Sequence, residues 1–497
     1  MQQYVLGVDQ GSSGSRAMIL DSNSTIVGYG YQPVQRIYPQ PGWVEQSPQD
    51  IAESVRQVIQ RALAQARCPA HAIIACGITS QRDTVIAWDQ QSGKPIGNAI
   101  TWQDLRTVPL VAEIDTWEHA GERRERLGQF PGPYCSAMHM AWRMRHDSAF
   151  RSAALEGRLA VSLVPGWLIQ ALGKPTQHAL DYSLMQGMTV LDFRRKQLWD
   201  AWIEHLQIPR AALPTPVSTL SHFGEIDIVD HHGDRAAVPV LAMISDQQAA
   251  LFGYDCHKPG QASCTHGTAS FVSVVAGATA PPQGIPKIYI GWELDGVTTY
   301  CVEADTTVTG AVVRWMQEQM GWLPDATQLG PLAQTVPDAA GVVFIPAFTG
   351  LGVPLEDRTA RGTLLGMTLD TTPAHIARAF LDALGYQIYD ILTTIQTETG
   401  LSINRLHVGG GVAASDLACQ IQADILGVPI ARASNTETSV RAAALLAGLG
   451  SSVWSSIDAL PRLAATETIF EPQLSTATRD NRLVVWHRAL ERVREWS

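Results

Sequence analysis

The 497-residue sequence is most informative first in what it lacks. No apolar run is long enough to cross a bilayer, which needs about 20 residues. Positive charge is in deficit: 36 Lys and Arg stand against 47 Asp and Glu, a formal net charge of -11. That excludes the basic face needed for nonspecific binding to nucleic acid or an anionic membrane, so neither is expected as a partner. It does not exclude an anionic ligand, because a Gly-rich turn or helix end binds phosphate inside an acidic protein. Cysteine is sparse: Cys68, Cys76, Cys135, Cys256, Cys264, Cys301 and Cys419. They show no metal-ligand or redox spacing and read as reduced thiols. The start, Met-Gln-Gln before a short apolar strand, lacks the basic and apolar regions of a secretory leader. The expectation from these absences is a cytoplasmic protein.

What is present is a well-cored globular chain, 45% hydrophobic and 17% charged. Its length exceeds one ordinary core and predicts two domains. "YVLGVDQGSSGSRAMILD" reads as strand, turn, strand, with Asp9, Gly11, Ser12, Ser13 and Gly14 in the turn. "SPQDIAESVRQVIQRALAQA" opens a helix: Ser47 suits the N-cap, Pro48 the first position and Asp50 the positive helix end. Ile51, Val55, Val58, Ile59 and Leu63 fall on one face, and the strand "AIIACGIT" follows. The second half repeats this grammar. "TPAHIARAFLDALGYQIYDILTTI" carries Ile376, Phe380, Leu384, Ile388 and Ile391 at helical spacing, ends near Gly400, and leads to the strand "RLHVGGG". Two related α/β halves follow, with "GYDCHKPG" as the junction and insertions over roughly residues 105–235.

Three Gly-rich turns could cradle phosphate: the one after Asp9, "THGTASF" with Gly267 and Thr268, and "HVGGGVAASDL" with Gly409, Gly410 and Gly411. Ser12, Ser13 and Arg16 add donors to the first. Asp9 would repel phosphate but can hold Mg²⁺, a hard ion that takes carboxylate and phosphate oxygens together. In "GITSQRDT", Arg82 and Asp83 stand just past a buried strand. The plain reading is a structural ion pair; the functional one is a grip on adjacent hydroxyls, Arg donating and Asp accepting. Trp102 in "NAITWQDLR" is either core or an aromatic cover for aliphatic carbons. "MISDQQAALFG" places Asp246 at the mouth of a strand where a helix starts. It is either an N-cap or a catalytic carboxylate.

The motifs "GVDQGSSGSRA", "YPQPGWVEQSP", "GITSQRDT", "GKPIGNAITWQDLRT", "SDQQAALFG", "HGTASF", "IPAFTGLGVP" and "GGGVAAS" span nearly the whole chain. In that order they resemble the FGGY family of carbohydrate kinases, and within it most closely the glycerol-kinase branch. The resemblance implies an α/β fold of two actin-like (ribonuclease-H-like) domains with a catalytic cleft between them. Residues 1–250 would form the N-terminal domain, with polyol binding and the first phosphate loop. Residues 251–497 would form the C-terminal, nucleotide-binding domain. The implied activity is ATP-dependent phosphorylation of glycerol to glycerol 3-phosphate, with ATP and Mg²⁺ as cofactors. Erythritol, threitol or a ketopentose is the alternative acceptor, and a non-catalytic actin-like ATP-binding regulator is the alternative class. Beyond the small substrate, a homo-oligomer stays open.

Position by position, the resemblance makes Asp246 the general base. It gives the polyol to Arg82, Asp83, Trp102, Tyr134, Asp246, Gln247 and Phe271. It gives the nucleotide to Ser12, Ser13, Arg16, Thr268, Gly310, Arg314, Gly411 and Ser415, and Mg²⁺ to Asp9 and Asp246. The sequence also departs from the family pattern. Asp83 stands for a usual Glu, His139 for Lys, Arg314 for Gln, Ser415 for Asn and Gly409 for Asp. The basic loop that binds an inhibitory sugar bisphosphate in some relatives is not recognisable in "VDHHGDRAAVPV". The Asp83 change bears on the acceptor, since its carboxylate is one methylene shorter.

Overall fold

The protein's structure, a computed structural model, describes residues 3–462 and 467–496. The apolar arms around the first turn form strands β1 (Tyr4–Gln10) and β2 (Gly14–Leu20), with β3 (Ile26–Pro33) beyond. The turn is shorter than expected. Asp9 pairs with Arg16 and Gln10 with Ser15, so Asp9 and Gly14 belong to the ladder and only residues 11–13 bend. Helix α1 (Pro48–Ala66) follows, with the Ser47 hydroxyl accepting the Asp50 N–H at 3.1 Å. Its five predicted apolar positions are all buried. Strand β4 (Ile73–Ser80) then pairs parallel with β1. After helix α2 (Ser136–His146), strands β5 (Gly173–Pro175), β6 (Leu220–Val229) and β7 (Arg235–Ser245) complete a seven-stranded sheet. Its order is β3-β2-β1-β4-β7-β6-β5. Three strands of the irregular insertions between β4 and β6 join Glu45–Gln46, which precedes α1, in a four-stranded sheet of their own.

Helix α3 (Asp246–Gly253) leads to β8 (Ala262–His266), β9 (Ser270–Gly277), β10 (Lys287–Leu294) and β11 (Val297–Asp305). Helices α4 (Gly310–Glu318) and α5 (Pro373–Thr399) precede β12 (Leu406–Gly410). Then come α6 (Asp416–Leu426), β13 (Ile430–Ala433), α7 (Thr438–Gly450), β14 (Glu467–Phe470) and α8 (Thr476–Leu490). The second sheet runs β10-β11-β9-β8-β12-β13-β14. Both sheets therefore hold an antiparallel meander whose first strand pairs parallel with the strand after a long helix: β1 with β4, β8 with β12. The Ser-Pro and Thr-Pro helix starts mark equivalent places in this repeat. Helix α5 buries its predicted stripe and stops at Gly400, which adopts a φ of 71°.

The two halves meet through α7, which packs on α3 and across β1, β4 and β7 of the first sheet. Glycine permits the approach: a Cβ on Gly7 or Gly77 would strike the α7 backbone at Val440 or Ala443. All seven cysteines are buried and free. No helix among the described residues is long and apolar enough to cross a membrane.

Candidate active site

Strand β7 delivers its last residue, Ser245, to the cleft, and Asp246 opens α3. The N-cap is Ser245, so the capping alternative for Asp246 does not hold. One Asp246 oxygen accepts the Gln247 N–H at 2.8 Å and lies 4.0 Å from Arg82 Nε. Burial raises its pKa to about 7; Arg82 opposes the shift, and the carboxylates of Asp9 and Glu303 add to it. A carboxylate raised in this way takes up a proton more readily than an ordinary aspartate, as a general base must.

Arg82 and Asp83 do not stand side by side. Arg82 Nη2 donates to Glu303 Oε1 at 2.7 Å across the two halves, and its guanidinium lies 4.6 Å from the Tyr289 ring centroid. Asp83 has a φ of 60°, a left-handed conformation that diverts its side chain. Its carboxylate accepts the Ser136 N–H at the start of α2, at 3.3 Å. Burial raises the Asp83 pKa to about 7, against the nearby Arg82 and Lys287 cations.

The other expected acceptor residues come from several separate elements. Trp102 is half-buried on a loop that Arg106 braces: Arg106 is buried, pairs with Asp104 and Glu45, and lies 3.8 Å from the Trp43 ring centroid. Tyr134 is half-buried just before α2, its ring centroid 6.0 Å from Lys287 Nζ. Gln247 follows Asp246 in the first turn of α3. Phe271 is half-buried on β9, directly opposite Asp305.

The other wall is mostly backbone. Ser12 and Ser13 form the bend between β1 and β2, and the Ser12 carbonyl accepts from the Gln46 side chain at 3.2 Å. Gly267 and Thr268 form the exposed turn between β8 and β9. Their carbonyls accept the N–H groups of Gly310 (3.0 Å) and Thr309 (2.7 Å), which fixes the start of α4 against this turn. Arg314 is exposed on α4. Gly410, at the end of β12, has a φ of 88°, and a Cβ there would strike the His266 carbonyl. Gly411 is exposed, and its N–H donates to the same carbonyl at 3.1 Å. Ser415 caps α6, its hydroxyl accepting the Ala418 N–H at 3.3 Å. Gly409 lies against the buried hydroxyl of Tyr254, which fills the space a side chain there would need.

Asp9 sits where the walls meet. One carboxylate oxygen accepts the Ser439 hydroxyl at 2.7 Å and lies 3.9 Å from Arg16; the other is buried without a hydrogen-bond partner among the described residues. Burial raises its pKa despite Arg16 and Ser439. Arg16 itself is held by Glu437 at 2.7 Å.

Sequence reasoning missed Glu303, Lys287, Asp305, Glu437 and Ser439. One signal was available for two of them. In "YCVEAD" two carboxylates stand two residues apart in an otherwise apolar strand, so they share a face. The rest depend on long-range register.

The comparisons agree with this geometry. Residues 4–253 match the N-terminal domain, and residues 262–451 the C-terminal domain, of the FGGY family of carbohydrate kinases. A glycerol kinase of Dechloromonas aromatica is 38% identical over 497 residues, covering 100% of this chain and 98% of the relative. A protein named glycerol kinase 2, from Sulfolobus acidocaldarius, is 36% identical over 100% of this chain and 99% of its own length. Among solved structures, a Plasmodium falciparum glycerol kinase with ADP superposes at a TM-score of 0.90, with 25% identity, covering 99% of this chain and 98% of that one. A Brucella ovis xylulose kinase shares the fold at a TM-score of 0.84 and 21% identity, over 99% and 98% of the two chains. Paired actin-like sheets, a carboxylate-lined cleft and full-length similarity converge, and this chain belongs to the FGGY family of carbohydrate kinases.

Proposed function

We propose that this chain transfers the terminal phosphoryl group of ATP to a primary hydroxyl of a small polyol, glycerol among them, with Asp246 as general base. The carrying observation is the position of Asp246: first residue of α3, at the junction of the halves, 4.0 Å from Arg82, with a pKa near 7. Phosphoryl transfer asks the protein for alignment, charge neutralisation and a proton acceptor. Arg82, anchored by Glu303, donates to the acceptor hydroxyls and orients them. Tyr134, Trp102 and Phe271 shield the carbon chain from water. The turns at residues 11–13 and 267–269 offer backbone to the phosphates and the glycines at 409–411 offer close approach to the nucleotide, with Thr268, Gly310, Gly411 and Ser415 along its path. Arg16 and Arg314 add positive charge. As the new O–P bond forms and the bond to ADP breaks, the hydroxyl proton passes to Asp246.

Mg²⁺ fits the corner between Asp9 and Asp246. Asp9 presents a buried oxygen with no hydrogen-bond partner among the described residues, and its charge raises the cost of ionising Asp246. Among the described residues no group of three or more His, Cys, Asp or Glu forms a protein-complete metal site. Mg²⁺ does not require one, since it binds through one or two carboxylates plus phosphate. Asp9 and Asp246 would hold the ion, which when bound supplies neutralising charge to the phosphates.

The test is product identification. The chain is incubated with Mg-ATP and glycerol, erythritol, threitol or xylulose, and the products are read by phosphorus NMR. The expected result is a primary phosphomonoester of glycerol and release of ADP. ATP hydrolysis that ignores every polyol would overturn the proposal.

A further inference from the structure

Strands β9, β11 and β10 are neighbours in the second sheet, and their register fixes which side chains share a face. Phe271 lies opposite Asp305, and Glu303 lies between Ser273 and Lys287. Residues two apart on a strand point the same way. Phe271, Asp305, Glu303, Lys287 and Tyr289 therefore project from one face, the face that receives Arg82 from the other half.

Two members of this face have no part in the acceptor set considered so far. Lys287 Nζ donates to Asp305 Oδ1 at 3.1 Å and lies 6.0 Å from the Tyr134 ring centroid. Its charge acts on Asp83 and on Tyr134, which places it on the acceptor side of the cleft. The other Asp305 oxygen accepts the Thr307 N–H at 3.3 Å. Lys287 and Asp305 side chains keep 31% and 26% of their exposure, so the pair borders open space. A half-buried ion pair adds little stability over an apolar pair of the same volume. It offers instead donors and an acceptor on adjacent atoms, the pattern that reads a hydroxyl. Asp83 is directed to the Ser136 N–H rather than to Arg82.

We propose that Lys287 and Asp305 form a second hydroxyl-reading pair at the far end of the acceptor pocket, making a neutral polyol of four or more carbons a better acceptor than glycerol. This rests on the polyol-kinase reading above. Charge decides for a neutral acceptor: the cations Arg82 and Lys287 are already matched by the carboxylates of Glu303 and Asp305, so the pocket has no surplus positive charge to hold an acidic acceptor.

The experiment measures kcat/KM of the full-length chain for glycerol, erythritol, threitol and the acid erythronate, then repeats it on Lys287→Met and Asp305→Asn. The expected result is a tetritol at least tenfold better than glycerol and erythronate at least tenfold worse than that tetritol. In Lys287→Met the tetritol-to-glycerol ratio should fall at least tenfold, through KM. Asp305→Asn, nearly isosteric, should move it the same way by a smaller factor and carries the test if the lysine variant fails to fold. A wild type that prefers glycerol, or a ratio within threefold of wild type in both folded variants, overturns the inference while leaving polyol phosphorylation intact. A wild type that phosphorylates no polyol defeats the polyol-kinase reading, and this inference with it.

Discussion

The two walls of the cleft are built from different materials. The wall assigned to the nucleotide consists of turns at strand ends, where glycine brings backbone close and the charged side chains are Arg16 and Arg314. The acceptor wall is made of side chains: Arg82, Asp83, Asp246, Glu303, Lys287 and Asp305, drawn from both halves of the chain. Backbone donors suit a ligand whose phosphates do not vary. A small alcohol is read instead by charged groups that act on one another: burial raises the pKa of both Asp83 and Asp246, and Arg82 lowers both.

If the walls are separate, substitutions in one should leave the other's ligand nearly untouched. The largest effect is expected for Asp246→Asn, which keeps the shape and removes the base. Its kcat, measured as polyol-dependent ADP release, should fall by about 10²- to 10⁴-fold. Glu303→Gln comes next. It takes the counter-charge from a buried Arg82 whose Nη1 already lacks a hydrogen-bond partner among the described residues. Removing one member of such a pair costs about 3–5 kcal/mol. The melting temperature should drop and the acceptor KM rise roughly tenfold or more, with the ATP KM within about threefold.

Gly410→Ala probes the opposite wall. At a φ of 88°, with the His266 carbonyl where the new methyl would go, the turn must shift. A strain of about 1–3 kcal/mol is expected. Steady-state kinetics should show the ATP KM raised by about tenfold while the acceptor KM changes less than twofold.

The smallest effect belongs to His139, a departure from the family pattern on helix α2, beside the backbone of Asp83. Its ring is fully buried, with no hydrogen bond to either nitrogen among the described residues. Burial lowers its pKa from 6.5 to about 4, against the pull of the Asp104 carboxylate. Above pH 6.5 the ring is neutral in both folded and unfolded chains. As the pH falls from 6.5 toward 4, the unfolded chain takes up a proton that the folded chain refuses, and stability is lost. At about 1.4 kcal/mol per unit the loss is on the order of 3 kcal/mol. His139→Met should therefore melt at a less pH-dependent temperature than wild type between pH 7 and 5. Equal slopes for the two proteins would remove His139 from the account.

The difference between the walls also explains what could be read from the sequence. Turns after β1, β8 and β12 announce themselves by glycine between apolar runs. The helix starts at Pro48 and Pro373 carry local capping signals, so the doubled architecture follows from short-range chemistry. Asp246 was legible only through the family resemblance, because a carboxylate at a strand-to-helix junction is by itself an ordinary cap. The pairing of Arg82 with Glu303 was not, because it joins residues 221 positions apart. Neither was the turning away of Asp83, which depends on a positive φ at a non-glycine residue. Adjacency in sequence suggested a joint grip by Arg82 and Asp83; the backbone sends them to different partners. Lys287 was hidden for a third reason, since only the register of three strands shows that it shares a face with Phe271.

The separation of the walls is tested most directly by one titration without Mg²⁺, the dissociation constant of metal-free ADP for Asp246→Asn beside wild type. Asp246 is assigned to the acceptor and its proton, and its negative charge would repel phosphate. The account therefore predicts ADP affinity unchanged or tighter in the variant. A tenfold weaker ADP affinity in a folded Asp246→Asn protein would contradict it, because Asp246 would then be holding the nucleotide.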